Sequence, residues 1–448
     1  MSARPAPPPS DVSAGTGLAG LFGLALWVLT CRFWPQIVDA LDFSAPAEVM
    51  DGPSAALAAL LFSGSAMVAW ALLVEKVHLR PSTGIDWSAP RPLRDVVDIS
   101  ITKVAGLWAT WALIGFAYCI ARWYWRGQYV FAMEVLESAA PVLFLGAVPY
   151  VLWLDRVLVN PRDATWHFGA MLIGREPWDP AEVKRHALAW LVKGFFCAFM
   201  ISIVPGGFAA VIHFDWASVL HDPVALGTLL IETMFMIDVQ IAMVGYLLTM
   251  KPLDAQIRTA NPHLSAWVAA LICYPPFILM GDGDVLDYRH HGAEWAYWLQ
   301  GQTGLLWLWA AALVFLTAVY AWATVAFGLR FSNLTYRGVL TNGPYRYTRH
   351  PAYLSKNAYW WLASLPFLTT SGSMVDAVRN TVILALVSAV YYWRARTEEK
   401  HLLAEDANYR EYHAWMAEHG LITSALRKLT RAVTPRRPVD QGVTQPAE

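Results

Sequence analysis

A chain of 448 residues with 56% hydrophobic and only 15% charged side chains, and a mean hydropathy of +0.38, is too apolar for a water-soluble domain, where about 25% of residues are charged. A net charge of −1 provides no basic field, so nucleic acid is not an expected partner. What remains is an all-α polytopic transmembrane protein, whose 23 Trp and 18 Tyr suit aromatic belts at the two membrane interfaces.

In chain order, residues 1–15 are rich in Pro, Ala and Ser, with Arg4 the only basic side chain. No clear cleavage site follows, so they read as a disordered cytoplasmic tail rather than a signal peptide. Apolar runs then fall near 16–34, 54–74, 100–120, 138–154, 188–212, 225–249, 265–280, 303–327, 352–370 and 378–394. Each is near the roughly 20 residues that cross a bilayer, which predicts about ten spans. The ninth contains Lys356 and Asn357, and the fifth and seventh contain Pro205-Gly206-Gly207 and Pro275-Pro276, which predict kinks.

With the N-terminus inside, the cytoplasmic loops hold Lys76, Arg80, Arg91, Arg94, Arg156, Arg162, Arg175, Lys184, Arg185, Lys251, Arg258, Arg330, Arg337, Arg346 and Arg349. The opposite loops hold Arg32, Arg122, Arg126 and Arg289. That asymmetry obeys the positive-inside rule and puts both termini in the cytoplasm. Residues 426–448 form a basic tail expected to be disordered.

Residues 16–300 carry no recognisable motif. Glu232 and Asp238 fall in one predicted span but six residues apart, about 120° out of phase, so they form no simple pair. Lys193 is placed to snorkel to an interface. Cys31, Cys119, Cys197 and Cys273 are scattered through apolar spans and read as small buried hydrophobes. The loop Asp282 to His291 lacks an established ligand spacing, and no metal is expected there.

The chemistry-bearing residues cluster late. Asn342-Gly343-Pro344 is a turn signal. Pro351 pushes His350 out of helical geometry and suits the first turn of the next helix. His350 therefore sits at a helix N-terminus, where free backbone N–H groups favour an anion. Arg346 and Arg349 add cationic donors, and Tyr345, Tyr347 and Tyr353 add flat faces and hydroxyls. After a hydrophobic hairpin come Arg394, with Glu398 four residues on and on the same helix face, and Glu399. The two glutamates are adjacent, so only one can point at the site. Such polar groups beside a membrane are functional candidates by default.

The series Gly343-Pro344-Tyr345, Arg349-His350-Pro351, Tyr353, then Arg394-x-x-x-Glu398-Glu399 and Tyr409-x-x-Tyr412 resembles the isoprenylcysteine carboxyl methyltransferase family and its phospholipid N-methyltransferase relatives. Phe331-Ser332-Asn333 and the lead-in Leu340 to Tyr345 also match, so the likeness covers roughly residues 303–420. Three places depart from the pattern: Ser355 where Gly or Ala is common, Lys356-Asn357 after it, and no Phe-Gly before Tyr409.

The resemblance implies an integral membrane enzyme using S-adenosyl-L-methionine (SAM), with residues 301–425 as its catalytic module. Tyr345, Arg349, His350, Pro351, Tyr353, Glu398 and Glu399 would then hold the cofactor, and Arg394 and Glu399 would be catalytic. A lipidic or isoprenoid, isoprenylcysteine-like acceptor would arrive from the bilayer at the cytoplasmic face. A bacterial inner membrane is the first expectation, and an endoplasmic-reticulum-like membrane also fits. A sterol-reductase-like enzyme using NADPH is the competing reading, against which Ala352, Ser355-Lys356 and Glu398-Glu399 stand. A transporter or scaffold, supported by Glu232 and Asp238, is the third.

Overall fold

The computed structural model describes residues 5–44, 48–174, 176–425 and 428. Among these residues, eight helices are long and apolar enough to cross a membrane: Ala14–Arg32, Pro53–Val74, Leu93–Ile120, Tyr129–Val157, Pro180–His213, Pro223–Leu247, Thr303–Arg330 and Met374–Glu405. The protein is an all-α polytopic membrane protein. Its strands among the described residues, Thr259–Ala260 (β1) and Thr335–Tyr336 (β2), pair antiparallel with Thr259 opposite Tyr336.

The helices used below are α1 (Ala14–Arg32), α2 (Pro53–Ala69), α3 (Leu93–Ile120), α4 (Tyr129–Val157), α5 (Ala164–Ile173), α6 (Pro180–Ile203), α7 (Pro223–Leu247), α8 (Leu264–Leu271), α9 (Thr303–Phe327), α10 (Pro351–Ser364), α11 (Met374–Glu405) and α12 (Ala407–His419). Their starts are written in the sequence. Ser13, Asp163, Asp179, Asp222, Ser373 and Asp406 each accept a backbone N–H at a helix start, which satisfies donors the helix itself leaves free.

Two of the ten predicted spans are not long helices. The seventh is the eight-residue α8 followed by turns, because Pro275 and Pro276 supply no N–H to continue a helix. The ninth is the 14-residue α10, which ends at Leu365 in the left-handed region just before Pro366. The fifth is broken at Val204–Gly207, before a short helix at Phe208–His213. Both short segments still carry the chain between the two ends of the molecule.

Side-chain contacts define those ends. At one, Arg91 donates to the carbonyls of Leu158 and Val159 at 2.9 Å, Lys251 pairs with Asp163 at 3.1 Å, and Arg330 pairs with Asp254 at 2.5 Å. At the other, Arg32 donates to the carbonyl of Phe214 at 2.8 Å, His213 meets Asp51 at 2.8 Å, and Thr370 donates to the carbonyl of His291 at 2.9 Å. The loops predicted to share a side are thus gathered together.

The N-terminal segment departs from its expected disorder. Val339 and Asp11 exchange bonds through Asp11 N to the Val339 carbonyl and Val339 N to the Asp11 carboxylate, both 2.9 Å. Thr341 donates to the carbonyl of Pro8 and Asn342 to that of Val12. The extended stretch has few internal partners, and the 339–342 segment offers it unpaired backbone groups. Residues 1–4, and all of the predicted 426–448 tail except Lys428, lie outside the described residues.

Candidate active site

The turn that opens the site is closed by Gly343 at φ 56°, in the left-handed region, and by a short 3-10 turn over Gly343–Arg346. Pro351 then takes the first position of α10, and His350 precedes it at φ −130° and ψ 59° with no side-chain cap. The first backbone N–H groups of α10 are therefore left for another acceptor.

Opposite stands α11. Tyr391, Arg394 and Glu398 recur at three and four residues, so they share one helix face, and all three line a cavity of about 180 Å³. Tyr345, Arg349, His350, Tyr353, Tyr409 and Tyr412 complete much of its wall. Burial pushes the hydroxyls of Tyr345 and Tyr409 well above the usual range, so they remain neutral donors near neutral pH. Tyr412, on α12, donates to the carbonyl of Tyr345 at 2.8 Å and fixes that turn.

The glutamates divide. Glu398 lines the cavity and accepts from the Tyr353 hydroxyl. Glu399, one residue on, is rotated by about 100° into a cluster of positive and imidazole groups. Its Oε1 lies 3.1 Å from His350 Nε2 and 2.8 Å from Arg349 Nε, and its Oε2 lies 2.6 Å from Arg396 and 3.9 Å from His413. The Arg349 Nε–H is not aimed along that contact, so charge rather than a hydrogen bond joins them. Glu399 holds the motif loop against α11.

Arg394 is buried but has no such carboxylate. It donates to Asn333 Oδ1 at 3.2 Å, and its guanidinium lies 5.5, 5.1 and 5.3 Å from the rings of Tyr274, Tyr353 and Tyr391. Its Nε has no partner among the described residues. Arg394 and Glu398 share the helix face without pairing, because Glu398 is taken by Tyr353 and Arg394 by the rings.

Several cavity residues carried no role in the sequence reading. Asn333 is held at 2.8 Å by the hydroxyl of Tyr246, on α7, and orients Arg394. Tyr274 arrives from the predicted seventh span. Lys356 lies 5.3, 5.2 and 5.8 Å from the rings of Tyr320, Trp360 and Tyr391. Its signal was present: a cation in an apolar run, in a motif position where it is unusual. Asp238, noted in the sequence, accepts from Thr324 on α9. At the far end, His290, His291 and Asp376 bring three ligand-type atoms within 4.8 Å of one another, and His291 and Asp376 already pair at 3.0 Å.

The arrangement offers an anion-receptive helix start, a cavity carboxylate, flat aromatic walls and a caged guanidinium. No curated protein and no solved structure matches the chain. Residues 305–404 match the family model described as the Isoprenylcysteine carboxyl methyltransferase (ICMT) family. That stretch spans α9, α10 and most of α11, and with them His350, Arg394, Glu398 and Glu399. The C-terminal part of this membrane protein is thus similar to the ICMT family over residues 305–404, which supports a membrane methyltransferase in general.

Proposed function

We propose that the protein is a SAM-dependent methyltransferase acting on a lipidic or isoprenoid, isoprenylcysteine-like acceptor at the cytoplasmic face of its membrane. The observation that carries this is one cavity in which Glu398, the uncapped start of α10 and the caged Arg394 face each other. SAM carries an amino cation, a carboxylate, ribose hydroxyls and an adenine ring. Each has a complementary group on the wall. Glu398 would receive the amino cation or the ribose, and the α10 N-terminus with Arg349 and His350 would receive the carboxylate. Tyr345, Tyr409 and Tyr412 provide faces for the adenine.

The cofactor would supply an already activated methyl group, so the protein's task is alignment and exclusion of water. Arg394 is the residue placed to orient the acceptor, its unpaired Nε and aromatic cage keeping the guanidinium available. Glu399 positions Arg349 and His350 and takes no direct part at the cavity wall. The match over 305–404 supports the transferase class, and residues 301–425 are proposed as its catalytic module.

Calorimetric titration of the detergent-purified protein with SAM, S-adenosylhomocysteine and NADPH tests the reading. SAM and its demethylated product should bind, and Glu398→Gln should weaken both about tenfold, the 1.4 kcal/mol expected of one charge-assisted contact. NADPH binding without SAM binding would replace the reading with the reductase.

A further inference from the structure

A second cavity, of about 1130 Å³, lies outside the candidate active site among α3, α4, α5, α6 and the end of α7. It exceeds the roughly 300–1,000 Å³ usual for small-molecule pockets. On one flank Gly106 of α3 meets Gly169 of α5, and a Cβ at Gly106 would stand 2.6 Å from the Thr165 carbonyl, so this side is closed by backbone packing. On the other flank Val142, Leu143 and Gly146 of α4 line the cavity and are exposed. In a membrane that flank faces acyl chains, so the cavity opens sideways to lipid.

Its wall is charged, and the charges balance unevenly. Asp155 is bonded to Lys103 at 2.5 Å and to Ser100 at 2.8 Å. Asp163 is shared by Lys103 and Lys251 at 3.2 and 3.1 Å. Glu182 pairs with Arg185, Arg162 with Glu176, and Asp179 caps α6. Arg258 lies near Asp11 and Asp254, and His186 shares a hydrogen with Thr110 at 2.7 Å. Every lining carboxylate is thus matched within the protein. Lys193 is not matched: among the described residues it has no carboxylate at ion-pair distance, and its ammonium lies 4.1 Å from the ring of Trp190. An ammonium carried by a membrane helix is costly without an anion.

We propose that this cavity binds a membrane lipid with an anionic headgroup, whose phosphate or carboxylate is received by Lys193 and whose chain runs past Leu107, Val142 and Leu143 to the bilayer. Size, sideways opening and one uncompensated cation all favour an amphipathic anion over a soluble metabolite. A zwitterionic lipid would bring its own cation beside Lys193 and bind less well. The site is separate from the cavity that carries the methyltransferase reading, and it stands whether or not that reading does. The two are neighbours, since Gln256, Ile257 and Arg258 line this cavity and lead into β1 and Asn261, which lines the other.

Native mass spectrometry of the full chain, delipidated in detergent and titrated with phosphatidylglycerol, phosphatidylcholine or oleate, tests the proposal. Phosphatidylglycerol or oleate should be retained over phosphatidylcholine, and whichever binds more tightly identifies the headgroup as phosphate or carboxylate. Lys193→Gln should weaken that binding about tenfold, as loss of a charge-assisted contact implies, while Lys193→Arg keeps it. Gly146→Leu, at a position where an added Cβ meets nothing within 4 Å, should narrow the opening toward lipid and weaken all lipids at unchanged thermal stability. Equal retention of phosphatidylcholine and both anions by the wild type, or unchanged anion binding in folded Lys193→Gln, would overturn it.

Discussion

Arg394 and Glu399 stand five residues apart on α11, are 2% and 3% exposed, and are compensated in opposite ways. Glu399 is surrounded by Arg349, His350, Arg396 and His413. Arg394 has three tyrosine rings and one amide oxygen. The first is a closed electrostatic junction that ties a loop to a helix. The second is an open one, whose charge is held in place without being cancelled. Burial alone therefore does not separate a charge that is cancelled from one left available; the identity of the partners does.

The contrast can be broken by substitution. The largest effect is expected from Glu399→Ala, which strands its cationic partners; a destabilisation of about 3–5 kcal/mol should appear in denaturant or thermal unfolding in detergent. A variant of wild-type stability would remove the junction from the account. Arg394→Met should do the reverse. Replacing a buried charge by an apolar side chain of similar size costs little stability, but methyl transfer should fall about 100-fold, the scale of losing one transition-state contact. Full turnover at normal stability would make Arg394 a packing residue.

A smaller effect sharpens the division between the two glutamates. Tyr353→Phe removes the hydroxyl that Glu398 accepts and should weaken SAM binding about fivefold, near 1 kcal/mol, without touching the Glu399 junction. The smallest prediction concerns His413, whose proton affinity is lowered by burial and by Arg349, against the pull of Glu399. Its folded-state pKa lies below its unfolded value, so the unfolded chain binds the extra proton first. Stability should be full above pH about 6.5 and decline as pH falls below it. In His413→Gln that part of the pH dependence should vanish; an unchanged profile would assign it to another group.

Some of this was legible in the sequence because it is local. Run length gives the long helices, and Gly343-Pro344 with His350-Pro351 gives a turn and a helix start at the positions observed. The division of labour between Glu398 and Glu399 was not legible, since it depends on how α11 is rotated against the motif loop. Nor were Asn333 and Tyr274, whose meaning comes from Tyr246 and Arg394, far away in the chain. In the seventh span Pro275-Pro276 predicted a kink, but the helix ends at Leu271, before them. The second cavity draws on several helices with no motif among them, so only their packing assembles it.

The bonds between Pro8–Val12 and 339–342 have a consequence for biosynthesis. The ribosome makes Asp11 long before its partner Val339, 328 residues later. Asp11 can meet Arg80 as soon as that side chain is made, its carbonyl accepting at 3.2 Å, but the loop leading into Gly343 lacks this clasp until 339–342 is made. Pro8–Val12 is made early and reaches 339–342 only late, so this contact of the methyltransferase-like region closes between segments far apart in synthesis. A bulky group fused ahead of Pro8 would therefore be felt at the far end of the chain.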